Sequence, residues 1–263
     1  MKRIRLLALQ VLVMLVFLAV WHVATTTSLF GDVKTSQFFF STPVAVLART
    51  FKELTGPDIY WHLGITLTET VLAFVIGSAA GILFGFAFAR NALLSAVFDP
   101  YIKAANALPR VVLAPIFALW FGLGIWSKVA LGVTLVFFIV FFNVYQGVRE
   151  VSPTILANAR MLGMNERQLF KHVYWPSALT WMFSSLHTSV GFALVGAVVG
   201  EYLGSSAGLG YKIHEAESVF DVTGVFSGMV ILTIFVIAID TLVTLVERRL
   251  LVWRPAQSAT TTT

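Results

Sequence analysis

The sequence predicts an all-α, polytopic membrane protein with about six transmembrane helices, and three observations carry that prediction. Of the 263 residues, 58% are hydrophobic and 12% charged, and the mean hydropathy is +0.86. That composition suits a chain surrounded by lipid rather than a water-soluble core. Apolar runs long enough to cross a hydrocarbon layer of about 30 Å, which takes roughly 20 helical residues, recur along its length. Lys and Arg are shared unequally among the segments joining these runs, as in an oriented membrane protein. A single membrane domain over 1–263 is expected.

The spans fall at about 6–24, 63–89, 111–125, 129–146, 181–203 and 224–246. The first follows Lys2, Arg3 and Arg5, and its long apolar core favours an anchor over a cleaved leader. Before the second, Ser41, Thr42 and Pro43 open a helix in which Val44, Leu47, Ala48, Phe51 and Leu54 form one apolar stripe, closed by Gly56 and Pro57. An interfacial amphipathic helix is predicted there. In the second span Gly77, Gly81 and Gly85 recur every four residues on one helical face, the pattern of close helix packing. The third span is short. Pro100, Pro109 and Pro115 in or before it predict an oblique or kinked entry. Gly196, Gly200 and Gly204 near the end of the fifth again predict close packing. The tail 255–263, ending in four threonines, lacks periodicity and reads as disordered.

Charge orients the spans. With the N-terminus inside, 13 of the 18 basic residues, Arg90, Lys103, Arg110 and Arg149 among them, fall on the cytoplasmic side and 5 outside. Both termini are therefore expected in the cytoplasm of a bacterial inner membrane. The isoelectric point near 9.6 follows from this asymmetry, so the basic balance points to the lipid bilayer and not to nucleic acid.

One segment stands apart from the apolar runs. Residues 152–176 read SPTILANARMLGMNERQLFKHVYWP. Ser152 and Pro153 suit an N-cap and first helical position. Ile155, Leu156, Ala159 and Leu162 share a stripe from which Asn158 and Arg160 are excluded. Gly163 supplies a left-handed stop. Asn165 with Gln168 three residues on has the form of a capping box opening a second helix, which Pro176 ends or bends. Alone, this pattern suits a docking element and a well-capped loop equally.

Catalytic motifs are missing from the sequence: no G-x-x-x-x-G-K-[ST], H-E-x-x-H or G-x-S-x-G occurs. The five histidines lack ligand spacing and cysteine is absent, so no metal site is read. Ionisable residues inside spans are costly and default to functional candidates. Glu69 and Glu201 lie near the outer ends of their spans and Asp240 toward the inner end. Glu201 suits a structural or a gate-lining role, and Glu69 and Asp240 suit helix interfaces. His187 and Asn143 suit either a solute path or an interhelical hydrogen bond. A secondary transporter driven by ions is the alternative from another class, and it requires an internal repeat and a mid-membrane acid.

Residues 157–176, with Gly163 and then Trp175-Pro176, resemble the EAA loop of permease subunits of bacterial ABC importers. Asp99-Pro100, Leu108-Pro109, Pro115, Leu119-Trp120-Phe121-Gly122 and Ser127-Lys128 resemble the nitrate, sulfonate and taurine branch. So does Glu201 followed by Ser206, Gly208, Leu209 and Gly210. The resemblance implies an importer permease fold whose cytoplasmic coupling helix docks in a groove of a separate ATPase. Ala157, Asn158, Ala159, Arg160, Leu162, Gly163 and Pro176 would be the ATPase-coupling residues, and Glu201, His187, Asn143 and Glu69 the candidates for path or gate. It implies two ATPase subunits, a second permease copy and an external substrate-binding protein as partners. No cofactor is expected on this chain, with ATP and Mg held by the ATPase, and the solute would be a sulfonate, taurine, nitrate or related organic anion. One departure is plain. Ala157-Asn158-Ala159 replaces the family's Glu-Ala-Ala, so contacts of that carboxylate do not transfer.

Overall fold

The computed structural model describes residues 2–28 and 31–250, so the predicted tail 255–263 lies outside the described residues. Among them are twelve α-helices and no strand. In order these are α1 Lys2–Thr26, α2 Val33–Phe40, α3 Pro43–Thr55, α4 Asp58–Arg90, α5 Ala92–Ala107 and α6 Ala114–Phe121. There follow α7 Ile125–Arg149, α8 Pro153–Met161, α9 Glu166–Leu169, α10 Trp175–Leu203, α11 Leu209–Ser218 and α12 Val222–Leu250. Helices α1, α4, α7, α10 and α12 are each long and apolar enough to cross a membrane, and five of the predicted spans fall inside them.

The third span needs correcting. Instead of one helix over 111–125, the chain forms α5, turns through 87° and continues as a 3-10 turn, Arg110–Leu113, into α6. Pro109 lacks an N–H and holds Leu108 extended, at φ −66° and ψ 133°, which stops α5 there. Gly122, at φ +75°, ends α6 before Ile125 starts α7. Arg110 therefore sits at the bend between α5 and α6. The sequence reading passed over α5, although Asn91 caps it by accepting from Leu94 N at 3.0 Å.

Helix α3 is capped as its sequence suggests, with Thr42 Oγ1 accepting from Ala45 N at 3.2 Å and Pro43 in the first turn. Its apolar stripe is turned outward. Val44, Leu47 and Phe51 are exposed, whereas Pro43, Val46 and Thr50 are buried. An interfacial helix that rests its apolar side in lipid has this reversed pattern. On α1, every side chain from Ile4 to Phe17 is exposed, as suits a helix facing lipid.

The chain forms two compact units. The first comprises Met1–Glu69, Ala114–Lys128 and Ala197–Phe235. Ile59, Leu209 and Ile231 are the buried apolar centre of this unit. Polar bonds tie α3, and Ser41 at the end of α2, to α12 inside it: Thr50 Oγ1 to Ser227 Oγ at 3.2 Å, Ser227 Oγ to Glu53 Oε2 at 3.0 Å, and Ser41 Oγ with Thr223 Oγ1 at 2.8 Å.

The second unit comprises Thr70–Leu113, Val129–Gly196 and Val236–Thr263. Here the glycines of α4 meet the valines of α7 in step. Methyl groups placed on Gly77, Gly81 and Gly85 would each lie 2.8 Å from the Cβ of Val136, Val140 and Val144 respectively. These valines are buried and lie four residues apart, so the two helices touch along a seam of backbone against branched side chain. Gly81→Val is expected to destabilise the protein by about 1–3 kcal/mol, the usual cost of overpacking, read as a lower melting temperature in detergent. Gly64→Ala, whose methyl meets nothing within 4 Å, should not lower it.

Candidate functional site

Two constellations stand out, each within one unit. In the first unit, the chain leaves α10 at Leu203 and starts α11 at Leu209. The first amides of a helix have no partner within it, and side chains from other helices supply them. Gly208 N donates to His62 Nδ1 at 3.0 Å, Leu209 N to Thr66 Oγ1 at 2.9 Å, and Gly210 N to Glu201 Oε2 at 2.8 Å. Thr66 Oγ1 in turn donates to Glu201 Oε1 at 2.7 Å. Gly208 is at φ +109°, and a side chain on it would run into the Glu201 carboxyl. Glycine is thus required there by both backbone and space.

Glu201 and Glu69 are 0% and 1% exposed, and their carboxyls lie close enough to interact, with Glu69 Oε2 left without a hydrogen-bond partner among the described residues. Lys128, equally buried, donates its ammonium to Leu123 O and, at 3.1 Å, to Gly124 O, and it lies close enough to feel both carboxyls. Gly200 makes room for it, since a methyl there would sit 2.9 Å from Lys128 Cγ. Of the two roles the sequence left open for Glu201, this geometry supports the structural one: the carboxyl anchors the start of α11. His62 and Thr66 escaped the sequence reading because their partners are distant backbone groups, and Lys128 because its bonds to the nearby Leu123 and Gly124 carbonyls follow no spacing rule.

In the second unit, the segment after α7 is built around its caps. Helix α8 ends in a Schellman arrangement in which Gly163 N donates to Arg160 O at 2.9 Å and Met164 N to Ala159 O at 3.1 Å, with Gly163 at φ +78°. Ser152 makes no side-chain cap. Asn165 and Gln168 form a reciprocal capping box at 2.9 and 2.8 Å. Pro176 does not end the helix, the first of the two outcomes expected of it. Phe170–Tyr174 widen into a π-helical turn, with Trp175 N donating to Phe170 O, and α10 continues from it. The wider turn accommodates the proline ring and its missing donor.

This segment is seated firmly. Arg90 Nη2 pairs with Glu166 Oε2 at 2.8 Å, and the Arg90 guanidinium lies 5.8 Å from the Phe170 ring and 5.9 Å from that of Tyr174. Phe86 stacks on Trp175 at 5.6 Å and packs against Phe170 at 5.2 Å, while Ser177 Oγ donates to Gly147 O at 2.9 Å. On the other side α8 presents Met161 and Leu162, 81% and 80% exposed, with Ile155 beside them. The predicted stripe therefore divides: Ala159 packs inward, while Ile155 and Leu162 point outward together with Ala157, Asn158, Arg160 and Gly163.

The remaining polar candidates do not converge. His187 Nε2 lies 3.6 Å from Asp240 Oδ1, joining α10 and α12. Asn143 Nδ2 donates within its own helix to Ile139 O at 2.8 Å.

Residues 75–252 match the model of the family described as the binding-protein-dependent transport system inner membrane component. The chain belongs to that family. This permease is 32% identical over 240 residues to a Bacillus subtilis protein described as an aliphatic sulfonates transport permease, covering 91% of this chain and 85% of that one. It is 33% identical over 220 residues to a formylaminopyrimidine transport permease of Halalkalibacterium halodurans, covering 84% and 88%. Its fold resembles that in an inward-facing structure of a methionine ABC transporter, with a TM-score of 0.56, 18% identity, and coverage of 78% of this chain and 94% of that one. It is thus a multi-pass ABC importer permease of the nitrate, sulfonate and taurine type, a transport component for small solutes.

In the permease, Thr66→Val would leave Leu209 N–H and Glu201 Oε1 unpaired at a buried site. A loss of about 1–3 kcal/mol is expected for such an orphaned group, with faster hydrogen exchange at amides 208–210 as the direct readout. Glu201→Gln, which still accepts from Gly210 N, should cost less.

Proposed function

We propose that this permease couples solute passage to a separate ATPase through residues 152–176, and that α8 is the coupling helix. The observation that carries this reading is the exposed pair Met161 and Leu162 at the end of a short helix closed by caps at its exit, followed by residues 166–177 that Arg90, Phe86 and Gly147 seat. Large apolar side chains left in water on a rigid, well-held element suit a groove on another protein. Ala157 occupies an exposed position on it, so the carboxylate this chain lacks would have pointed at that partner. ATP-driven closure of two such ATPase subunits would push α8 and, through the π-helical turn, α10. Family membership favours this ATP-driven reading over an ion-coupled secondary transporter, and it implies an ATPase and a substrate-binding protein as partners.

The working assembly is two copies of this permease, two ATPase subunits holding ATP and Mg, and an external binding protein, with both permease termini in the cytoplasm. Helix α5 supports the second copy: none of its residues is buried within one chain, although Leu93, Val97 and Tyr101 are large and apolar or aromatic. The solute is a sulfonate, taurine, nitrate or related organic anion, the reading closest to the sulfonate relative. His187 and Asn143 remain the polar residues available to a path, whereas Glu69 and Glu201 serve the loop before α11.

Purification of the tagged permease from its own membrane, with mass spectrometry of what accompanies it, tests the coupling. An ATPase should co-purify, and Met161→Glu with Leu162→Asp should abolish both its recovery and ATP-driven uptake while the permease keeps its melting temperature. Gly163→Val, which forces a branched residue to φ +78°, should uncouple transport in the same way with no more than about 1–2 kcal/mol of strain. A stable, active oligomer without an ATPase would overturn the proposal.

A further inference from the structure

The bend between α5 and α6 places one arginine where a membrane protein tolerates it only for a reason. The Arg110 guanidinium lies 4.9 Å from the centroid of Phe138, and Phe138 stands near the middle of α7. At 1.5 Å per residue, about 20 Å of helix precedes that ring and about 17 Å follows it, so the guanidinium sits near mid-membrane depth. Its Nη2 donates to Asn106 Oδ1 and, at 3.2 Å, to Asn106 O. Its Nε is buried and has no hydrogen-bond partner. No carboxylate among the described residues acts on it electrostatically. The side chain is partly exposed and not sealed inside the chain.

A permanent cation at that depth needs a counter-charge or water. The described residues supply no carboxylate, and lipid tails supply neither. A mobile oxyanion would supply the charge. The planar fork, held edge-on by Asn106 through Nη2 and face-on by Phe138, keeps its Nη1 N–H groups unengaged among the described residues and able to meet it. We propose that Arg110 is the group on this permease that reads the oxyanion head of the solute, a sulfonate or nitrate, as it passes the bend. The inference rests on the importer reading and adds a specificity-determining residue to it. The prolines predicted a kink here but α5 was not apparent in the sequence, which is why Arg110 looked like a loop residue.

The absence of cysteine from the chain permits a charge-rescue test. The full importer, with its ATPase and binding protein, is reconstituted in vesicles and ATP-driven uptake of labelled taurine, methanesulfonate, nitrate and a neutral formylaminopyrimidine is measured. Arg110→Cys should lower uptake of the anionic probes about tenfold or more, and coupling an aminoethyl group to the new thiol should restore it to within about threefold, because one charge-assisted contact is removed and replaced. A sulfonatoethyl group on the same thiol should leave uptake lost, and neither reagent should act on the wild-type permease. Undiminished uptake by Arg110→Cys, a loss that no cationic adduct repairs, or a thiol that fails to react in the assembled importer would overturn the proposal. Wild-type vesicles that import the pyrimidine but no anion would overturn it while leaving the importer reading intact. Wild-type vesicles with no ATP-driven uptake of any probe would overturn the importer reading and this inference with it.

Discussion

An unpaired backbone N–H or carbonyl inside a bilayer costs several kcal/mol, and each interruption of helix in this permease is arranged around that penalty. Between α10 and α11 the chain must turn, and three successive amides, Gly208, Leu209 and Gly210, are met by His62, Thr66 and Glu201. Between α5 and α6 the turn falls at Pro109, which has no N–H to lose. Between α9 and α10 a π-helical turn absorbs Pro176 without opening the helix. Satisfying these groups takes side chains from distant parts of the sequence, so the breaks are held by tertiary contacts and not by local turns alone.

Close packing gives the second unit its stiffness. A seam of Gly77, Gly81 and Gly85 against Val136, Val140 and Val144 brings two backbones together with nothing flexible between them. Lipid is as apolar as the side chains it would replace, so helices in a bilayer gain from such fit more than from apolar burial as such. The same unit seats the chain that follows α8, where Arg90 closes α4 and meets both Glu166 and the rings of Phe170 and Tyr174. A short helix fixed this way can transmit a displacement, whereas a loop of equal length would absorb it.

Polar residues in the spans divide by the company they keep. Glu69, Glu201 and Lys128 compensate one another in a buried cluster that orders a loop. Arg110 has a ring and an asparagine but no opposite charge. A charge that its own chain neutralises serves structure; one left for something else to neutralise is the more informative about transport.

The sequence alone determined whatever depends on neighbours along the chain. Apolar length marked five spans, Asn165 with Gln168 wrote a capping box, Gly163 wrote a helix stop, and the four-residue glycine repeat announced a close helix contact. Each is a local rule with a period or spacing that can be counted. Tertiary structure decided the rest. Which helix met those glycines, which face of α3 turned inward, and which side chains served the amides of α11 depended on groups brought together from different helices. The bend at which Arg110 stands depended on where α5 stops and α6 begins. A polar group's role is set by what lies opposite it, and only the folded chain brings opposite groups together.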